Sequence, residues 1–391
     1  MPPAHRTSEH PPGHRTNEHP PGHRTSEHPP GHRASEHPPG HRTSDDPLAR
    51  ADALLHDGRY EEAAQHYRSA RERDPQDWRA VTGYNRAIRR IVPRWHFEMM
   101  HDHERALQYE AAIKQVVTAD HLVLDVGTGS GMLALMAARV GAERVVACEG
   151  QRVVAETASR IVDGAGYATQ VDVVPKMSTD LVVPGDLPRR ADVLITETVD
   201  CGLLGEGILA SLSHAREHLL TDQAIIVPGR ARVLAQLVES RALHQKNTVG
   251  ELYGFDLSGF NELASLEYFD TRLRRHEHRV LSAPFEVFRF DFHRDGPAPQ
   301  HATLPVVPAA AGTCHAVVFW FELELVPGIV VTNAPDHPTT HWKQAVQCLP
   351  HPVPVDPRRP LAVDVRHDGL RICFTGIANQ HETGFTKEHE A

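Results

Sequence analysis

The fold is decided by Leu122-Val123-Leu124-Asp125-Val126-Gly127-Thr128-Gly129-Ser130-Gly131-Met132-Leu133-Ala134. An apolar run enters a glycine-rich turn, and helix-forming residues follow it. Glycines let the backbone approach a ligand closely, and a helix start supplies free N–H donors. This pattern predicts the first strand-turn-helix unit of an open α/β sheet with a ligand at the turn. Taken alone the glycine pattern is weak, because dinucleotide-binding folds use a related turn.

The next apolar run, 144–148, predicts a second strand and ends in Glu149, eighteen residues after Gly131. A carboxylate at this place suits a ribose diol, in a nucleotide or in S-adenosylmethionine alike. Asp125 favours the methyl donor, since that molecule carries a cationic amino group. The simpler interpretation is that Asp125 and Glu149 are ordinary acids at strand ends.

A third segment, Thr196-Glu197-Thr198-Val199-Asp200-Cys201-Gly202-Leu203-Leu204-Gly205-Glu206-Gly207, follows the buried strand predicted at 191–195. Ligands of open α/β sheets bind outside the carboxyl ends of the strands, so this loop should face the same site. Two carboxylates side by side need a cation between them, and the planar fork of a guanidinium suits them better than an ammonium. Acidic loop residues are otherwise usually just solvated.

From Arg94 to about Ile377 the chain resembles the protein arginine methyltransferases. The motifs that carry the resemblance occur in order: Arg94-Trp95-His96-Phe97-Glu98-Met99-Met100-His101-Asp102 with Arg105 and Tyr109, the glycine turn, Glu149, the loop with two glutamates, and Thr340-His341-Trp342-Lys343-Gln344. The resemblance implies that S-adenosylmethionine is the cofactor and that the substrate is an arginine in a protein or peptide.

The resemblance also implies a role for each matched position. Arg105 would hold the carboxylate of the cofactor, and Met99 would lie against the methyl group. The catalytic residues would be Glu197, Glu206 and His341. The cofactor-binding residues would be Arg105, Asp125, Gly127, Gly129, Glu149 and Ser178, and the substrate-binding residues Met99, Asp200 and Trp342.

The loop at 197–207, with Asp200 inside it, is similar to members that make monomethylarginine or symmetric dimethylarginine. The loop contains the small residues Gly202, Gly205 and Gly207, and the added carboxylate of Asp200 should fix the unmethylated nitrogens and disfavour a bulky methyl group there. The relatives with this loop and N-terminal tetratricopeptide helices carry two catalytic modules, whereas this chain has one. A two-fold homodimer is therefore expected, built on an arm at about 244–275.

The predicted organisation has five parts. A nine-residue repeat rich in His and Pro occupies 1–46 and cannot bury a core, so it is expected to be disordered. Helices resembling one tetratricopeptide unit are expected at 47–92, as a partner surface or as a structural brace. A doubly wound methyltransferase domain of the seven-strand type should span 93–224. An antiparallel β-barrel domain should span 225–378, and 379–391 should form a tail.

Bulk composition restricts the class of protein. The net charge of −10 over 391 residues argues against direct nucleic-acid binding and fits basic peptides. We expect no membrane span and no metal site. The five cysteines lack paired spacing, which favours a cytoplasmic protein with free thiols. Two rival functions remain: a methyltransferase for another nucleophile, and a catalytically silent scaffold.

Overall fold

The computed structural model describes residues 47–337 and 340–379. The expected disorder of the repeat at 1–46 and most of the predicted C-terminal tail lie outside these residues. Three helices open the described chain: α1 (Pro47–His56), α2 (Tyr60–Arg73) and α3 (Trp78–Ile91).

The packing of these three helices explains their sequence. The fully buried ring of Tyr67 lies against Gly83, where a Cβ atom would come within 2.2 Å of the ring. The Tyr67 hydroxyl donates to Asp52 at 2.6 Å, and Asp77 caps α3 by accepting from the backbone of Arg79. Small and large residues thus interlock between antiparallel helices. The resemblance of this segment to a tetratricopeptide unit stays a prediction.

Two further helices, α4 (Trp95–Met100) and α5 (His103–Val116), lead into a parallel sheet. Its strands and the helices between them are β1 (Leu122–Val126), α6 (Met132–Val140), β2 (Arg144–Cys148), α7 (Arg152–Gly164), β3 (Val171–Val174), β4 (Ala191–Thr196), α8 (Ile208–His218) and β5 (Leu220–Val227). The strand order β3-β2-β1-β4-β5 reverses direction between β1 and β4, which places the ligand crevice there.

The parallel sheet has five strands in the described residues, so the seven-strand type expected from the sequence is wrong in this detail. After β5 the chain turns at Pro228 and Gly229 instead of adding further strands. The Gly229 N–H donates to Glu324 and Leu325 of a second sheet, and β6 (Arg230–Glu239) continues in that sheet.

The second half of the chain is antiparallel. Its remaining elements are α9 (Arg241–His244), β7 (Glu251–Leu252), β8 (Phe255–Asp256), β9 (Phe269–Thr271), β10 (Arg279–Val280), β11 (Phe285–Asp291), β12 (Gln300–Val306), β13 (Gly312–Val326), β14 (Ile329–Thr332), β15 (Gln344–Val355), β16 (Leu361–His367) and β17 (Ile372–Asn379). Seven strands form a sheet with the core order β10-β6-β13-β15-β9, and β11 and β14 pair with β6 and β13.

A second antiparallel sheet of three strands, β12-β16-β17, completes this half, which we call the β-domain. The Gln347 side chain of β15 joins the two sheets by exchanging hydrogen bonds with the backbone of Phe374 in β17. The expected antiparallel domain is confirmed. Its two sheets form separate hydrogen-bonded ladders, and a side chain links them at the place where a closed barrel would have backbone hydrogen bonds.

One hydrophobic core runs from the parallel sheet into the β-domain. It includes Leu194 of β4, Leu204 of the loop after it, and Phe319 and Phe321 of β13. The loop with two glutamates is therefore anchored on both halves of the chain. None of the described helices is both long and apolar enough to cross a membrane.

Candidate active site

A cleft of about 680 Å³ lies at the carboxyl ends of β1, β2 and β4. Its walls include the helices α4 and α5, the glycine turn after β1, residues 148–151 after β2, residues 176–178, the loop 197–207, and the loop 340–343 of the β-domain. Of the site residues predicted from the sequence, all but Asp125 line this cleft.

The glycine turn and Glu149 form one wall. Gly127 and Gly129 have φ angles of +71° and +55°, in the left-handed region that favours glycine. A Cβ atom at Gly127 would come within 2.6 Å of Thr198 on the facing loop. The Glu149 carboxylate accepts from the Gly129 N–H at 3.1 Å and from the Gln151 N–H at 2.8 Å, so its position is fixed from both sides.

Asp125 does not line the cleft, and its predicted role as a cofactor ligand stays a prediction. Its carboxylate is fully buried and accepts from the Thr128 hydroxyl at 2.5 Å and from the Ala134 N–H at 3.1 Å. Burial raises the pKa of Asp125 to about 7, against the effect of these hydrogen bonds. Through these two bonds Asp125 holds the glycine turn against the start of α6.

Arg105 and Glu197 form a buried ion pair across the cleft floor, with side chains 3% and 8% exposed. Burial raises the pKa of Glu197 while the Arg105 guanidinium opposes that change. Among the described residues, Nε and Nη2 of Arg105 have no hydrogen-bond partner. Buried N–H donors without an acceptor are costly, so this guanidinium has capacity for an anionic group of a ligand.

Glu206, the second glutamate, opens into the same cleft and is accessible to water. Desolvation by the cleft walls raises the pKa of Glu206 to about 7, and the negative charges of Asp200 and Glu149 add to that effect. A cation placed between Glu197 and Glu206 would relieve this repulsion. The cleft is therefore built for a positively charged group.

His341 belongs to a network around Asp102 that sequence reasoning missed. The buried Asp102 carboxylate accepts from Nδ1 of His341 at 2.9 Å, from its backbone N–H at 2.8 Å, and from the Arg105 N–H at 3.0 Å. Burial works to raise the pKa of Asp102, but these hydrogen bonds outweigh it and hold that pKa well below its usual range. Burial also lowers the pKa of His341, so its ring is neutral near pH 7 with Nε2 free to accept a proton.

Asp200 lines the cleft, but its carboxylate is already hydrogen-bonded within the protein, and its role in substrate binding stays a prediction. It accepts from the Gly202 N–H at 3.1 Å, the Gly205 N–H at 2.9 Å and the Tyr268 hydroxyl at 2.7 Å. Side chains also fill the space beside the two glycines. The Tyr268 ring lies against Gly202, and Arg371 with Asp200 lies against Gly205. These groups shape the loop from behind.

The remaining predicted residues lie in the cleft wall. Met99 of α4 and Ser178 of a 3₁₀ turn line it, as does Trp342, whose indole N–H donates to the carbonyl of Val199 at 3.2 Å. A signal for Asp102 was present, since it directly precedes α5 in the first motif and caps that helix. Tyr268, Asn333 and Arg371 had no such signal, because each lies in a separate part of the β-domain.

Two family descriptions match the sequence. Residues 229–368 match the arginine methyltransferase oligomerization subdomain, and residues 105–247 match the ribosomal protein L11 methyltransferase family. An arginine N(omega)-methyltransferase of Streptomyces achromogenes subsp. streptozoticus is 42% identical over 275 residues, which cover 70% of this chain and 76% of that protein. The chain belongs to the arginine methyltransferase family.

Other relatives are larger. Protein arginine N-methyltransferase 7 of Drosophila ananassae is 30% identical over 322 residues, covering 71% of this chain and 47% of that protein. The Drosophila mojavensis protein is 36% identical over 247 residues, covering 58% and 35%. This chain therefore spans about half or less of the length of these relatives.

Solved structures share the fold. The chain in a Trypanosoma brucei PRMT1 enzyme-prozyme complex with AdoHcy has a TM-score of 0.62 and 21% identity, covering 73% of this chain and 97% of that one. Arabidopsis thaliana protein arginine methyltransferase 10 has a TM-score of 0.57 and 22% identity, covering 69% and 86%. Both comparisons support a methyltransferase domain followed by an antiparallel domain.

Membership of this family confirms two expectations from the sequence. The protein is an arginine N-methyltransferase, and S-adenosylmethionine is its methyl donor. The charged side chains of the cleft match the polar groups of S-adenosylmethionine. The unpartnered donors of Arg105 suit a carboxylate, and the fixed carboxylate of Glu149 suits a diol.

Proposed function

We propose that this protein methylates a terminal guanidinium nitrogen of arginine in a protein or peptide and gives monomethylarginine or symmetric dimethylarginine. The main support for this proposal is that Glu197 already binds one guanidinium within the cleft, that of Arg105. With Glu206 opposite and its pKa raised toward 7, a second planar cation has a binding place between two carboxylates.

The cofactor site would use Arg105 for the carboxylate of the donor, Glu149 for its ribose, and the turn at Gly127 and Gly129 for close backbone approach. Met99 and Ser178 would complete its walls. Bound S-adenosylmethionine supplies a methyl group on a sulfonium, which is already activated toward a nucleophile. The residues of the protein therefore mainly orient the two reactants.

The glutamate pair would prepare the nucleophile. A guanidinium stays protonated at neutral pH and its lone pairs are delocalised, so it is a poor nucleophile in water. Glu197 and Glu206 would hold the cation and draw its positive charge toward themselves, leaving electron density on the nitrogen that faces the methyl group. The neutral ring of His341, oriented by Asp102, would accept the proton that the methylated nitrogen releases.

In this proposal the product class follows from the rigidity of the arginine slot, which is the space beside Glu197 and Glu206 that Trp342 walls. Trp342 is fixed by its bond to Val199 and by edge-on packing against Phe321, with ring centroids 5.1 Å apart. A wall held in this way resists the widening that two methyl groups on one nitrogen require.

A panel of methyl acceptors tests this function. The panel contains an arginine-rich peptide, its Arg→Lys counterpart, the monomethylated peptide and free L-arginine, because the name of the Streptomyces relative gives arginine without stating protein. Fragment ions that separate the dimethyl isomers identify the product. We expect methylation of the arginine peptide without asymmetric dimethylarginine. Methylation of free arginine alone would overturn the substrate class, and asymmetric dimethylarginine would overturn the product class.

We further propose a homodimer in which the arm at 244–275 packs on a second copy of this chain. The arm leaves large apolar side chains exposed, including Tyr253 at 96%, Phe260 at 70% and Leu263 at 76%. Residues 229–368 match an oligomerization subdomain, which supports a second copy as the occupant. Light scattering at micromolar concentration should give the mass of a dimer, and a fully active monomer would contradict this.

The helices α1–α3 are proposed to be one tetratricopeptide-like unit that braces the cofactor side of the cleft. Val153 at the start of α7 is buried among them, and its N–H donates to Glu61 of α2 at 3.3 Å. Removal of residues 47–92 should expose this apolar patch and lower the melting temperature. A truncated chain with unchanged stability would contradict the proposal.

A further inference from the structure

Three consecutive residues between the two glutamates are each held by a side chain of the β-domain. The Trp342 indole donates to the carbonyl of Val199 at 3.2 Å, and the Asn333 amide donates to the carbonyl of Cys201 at 3.0 Å. Between them the Tyr268 hydroxyl donates to Oδ2 of Asp200 at 2.7 Å. The loop that presents Glu197 and Glu206 thus takes its shape from the β-domain.

Of these three contacts, the one from Tyr268 is linked to the backbone beside Glu206 through Asp200. The other carboxylate oxygen of Asp200, Oδ1, accepts from the N–H groups of Gly202 and Gly205, and Gly205 directly precedes Glu206. Burial and the Asp200 carboxylate raise the pKa of the Tyr268 hydroxyl, so it stays protonated and donates at all working pH values. A carboxylate held at both oxygens cannot rotate without releasing the backbone next to Glu206.

Close contacts at the two loop glycines also show that Tyr268 and Asp200 pack against the loop backbone. A Cβ atom at Gly202 would lie 2.6 Å from the Tyr268 ring, and one at Gly205 would lie 2.3 Å from Asp200 and 2.5 Å from Arg371. The Arg371 guanidinium also lies over the Tyr268 ring, 5.7 Å from its centre. The loop backbone is therefore pressed directly onto this group of side chains.

Tyr268 is anchored through the strand that follows it, since it lies at the end of the arm at 244–275 and directly precedes β9. That short strand pairs with β15, which begins two residues after Trp342. The Lys343 ammonium contacts the Asp270 carboxylate at 2.5 Å, which ties the end of the arm to the loop 340–343. The exposed Phe260 and Leu263 lie a few residues upstream in the same arm.

We propose that Tyr268 is a positioning residue that sets the place of Glu206 through Asp200. The proposal rests on the role given to Glu206 in the proposed function. The Tyr268 hydroxyl holds Asp200 while the apolar arm is exposed, so this contact belongs to the single chain. When the contact is lost, the backbone next to Glu206 is released and the carboxylate pair no longer fits a guanidinium.

The first experiment compares Tyr268→Phe with Tyr253→Phe, a matched control on the same arm whose side chain is almost fully exposed. Hydrogen exchange of the peptides covering 197–207 is measured on the full-length protein, together with donor binding by calorimetry and steady-state kinetics. Loss of a hydroxyl that bonds a carboxylate should speed loop exchange about tenfold and lower kcat/KM for arginine by about the same factor. The Kd for S-adenosylmethionine and the melting temperature should stay close to those of the control.

The second experiment breaks the same link at its other end. Asp200→Ala removes the acceptor of the Tyr268 hydroxyl and of the Gly202 and Gly205 N–H groups, and should speed exchange of the same loop peptides at least as much as Tyr268→Phe. Adding Tyr268→Phe to Asp200→Ala should add little further exchange, because the connection is already broken.

The exchange measurement needs no methyl acceptor, so it decides the proposal even if the substrate is not arginine. Loop exchange equal to that of the Tyr253→Phe control would overturn the role of Tyr268. Additive effects of Tyr268→Phe and Asp200→Ala would overturn the route through Asp200.

Discussion

Asp102→Asn is the substitution that most sharply tests the network around the cleft. The wild-type carboxylate accepts hydrogen bonds from the N–H groups of Arg105 and His341 and from Nδ1 of His341, all within 3.0 Å. Oδ2 accepts both bonds from His341 and Oδ1 accepts the bond from Arg105, whereas an amide accepts with only one of its two ends, so one or two of these bonds are lost and the others lose their charge. At about 1.5–3 kcal/mol for each bond to a charged group, we expect stability to fall by about 2–5 kcal/mol. Because the bond from Nδ1–H is lost or weakened, the His341 ring is less firmly oriented, and kcat should fall by about 10²–10³-fold.

Urea unfolding and steady-state methylation measure these two effects, and Asp270→Asn is the matched control. Asp270 pairs with Lys343 next to the same loop, but its side chain is 54% exposed, so its loss should cost under about 1 kcal/mol. Because the pKa of Asp102 is depressed in the folded protein, its stabilising effect is present above the ordinary pKa of an aspartate, about 4, and is lost as pH falls toward the folded value. The gap between wild type and Asp102→Asn should therefore narrow below about pH 4. A stability loss under about 1 kcal/mol at pH 7 with near-normal activity would refute this reasoning.

Three more predictions address other parts of the molecule. Glu206→Gln should lower kcat/KM by about 10²–10³-fold while the Kd for S-adenosylmethionine stays unchanged, because this carboxylate faces the arginine slot; loss of donor binding in calorimetry would contradict that role. The raised pKa of Glu206 predicts that kcat/KM rises with pH through about 7, and Asp200→Asn, by removing a nearby negative charge, should move this rise to lower pH; an unmoved profile would contradict the electrostatic account. Gly83→Ala should destabilise the protein by about 1–3 kcal/mol, since its methyl group would overlap the buried Tyr67 ring, whereas Gly164→Ala in α7 has open space and should be neutral or stabilising in the same unfolding assay.

Local sequence patterns were enough to predict the cleft itself. Gly127, Glu149 and Glu197 each follow an apolar strand, and the carboxyl ends of parallel strands meet at one edge of a sheet. Their convergence follows from the strand pattern alone. His341 was found through the matched motif, although nothing in its own segment indicated where the segment would dock.

The predicted roles of Asp125 and Asp200 depend on where a carboxylate points. Asp125 and Asp200 are close in sequence to true cleft residues, but each is captured by nearby backbone N–H groups. Such local capture depends on turn geometry that residue types do not specify. Tyr268 lies 68 residues from its partner Asp200 and carries no local signal at all.

The central claim is that the cleft methylates a guanidinium held by Glu197 and Glu206. The most direct measurement incubates wild type and Glu206→Gln in parallel with isotopically labelled S-adenosylmethionine and an arginine-rich peptide, followed by complete hydrolysis and mass analysis of every labelled amino acid. The account predicts label on the terminal nitrogens of arginine with wild type and at least a hundredfold less with Glu206→Gln, as about 3 kcal/mol of lost transition-state stabilisation requires. Label confined to lysine or to a small molecule, or equal arginine labelling by both proteins, would contradict it.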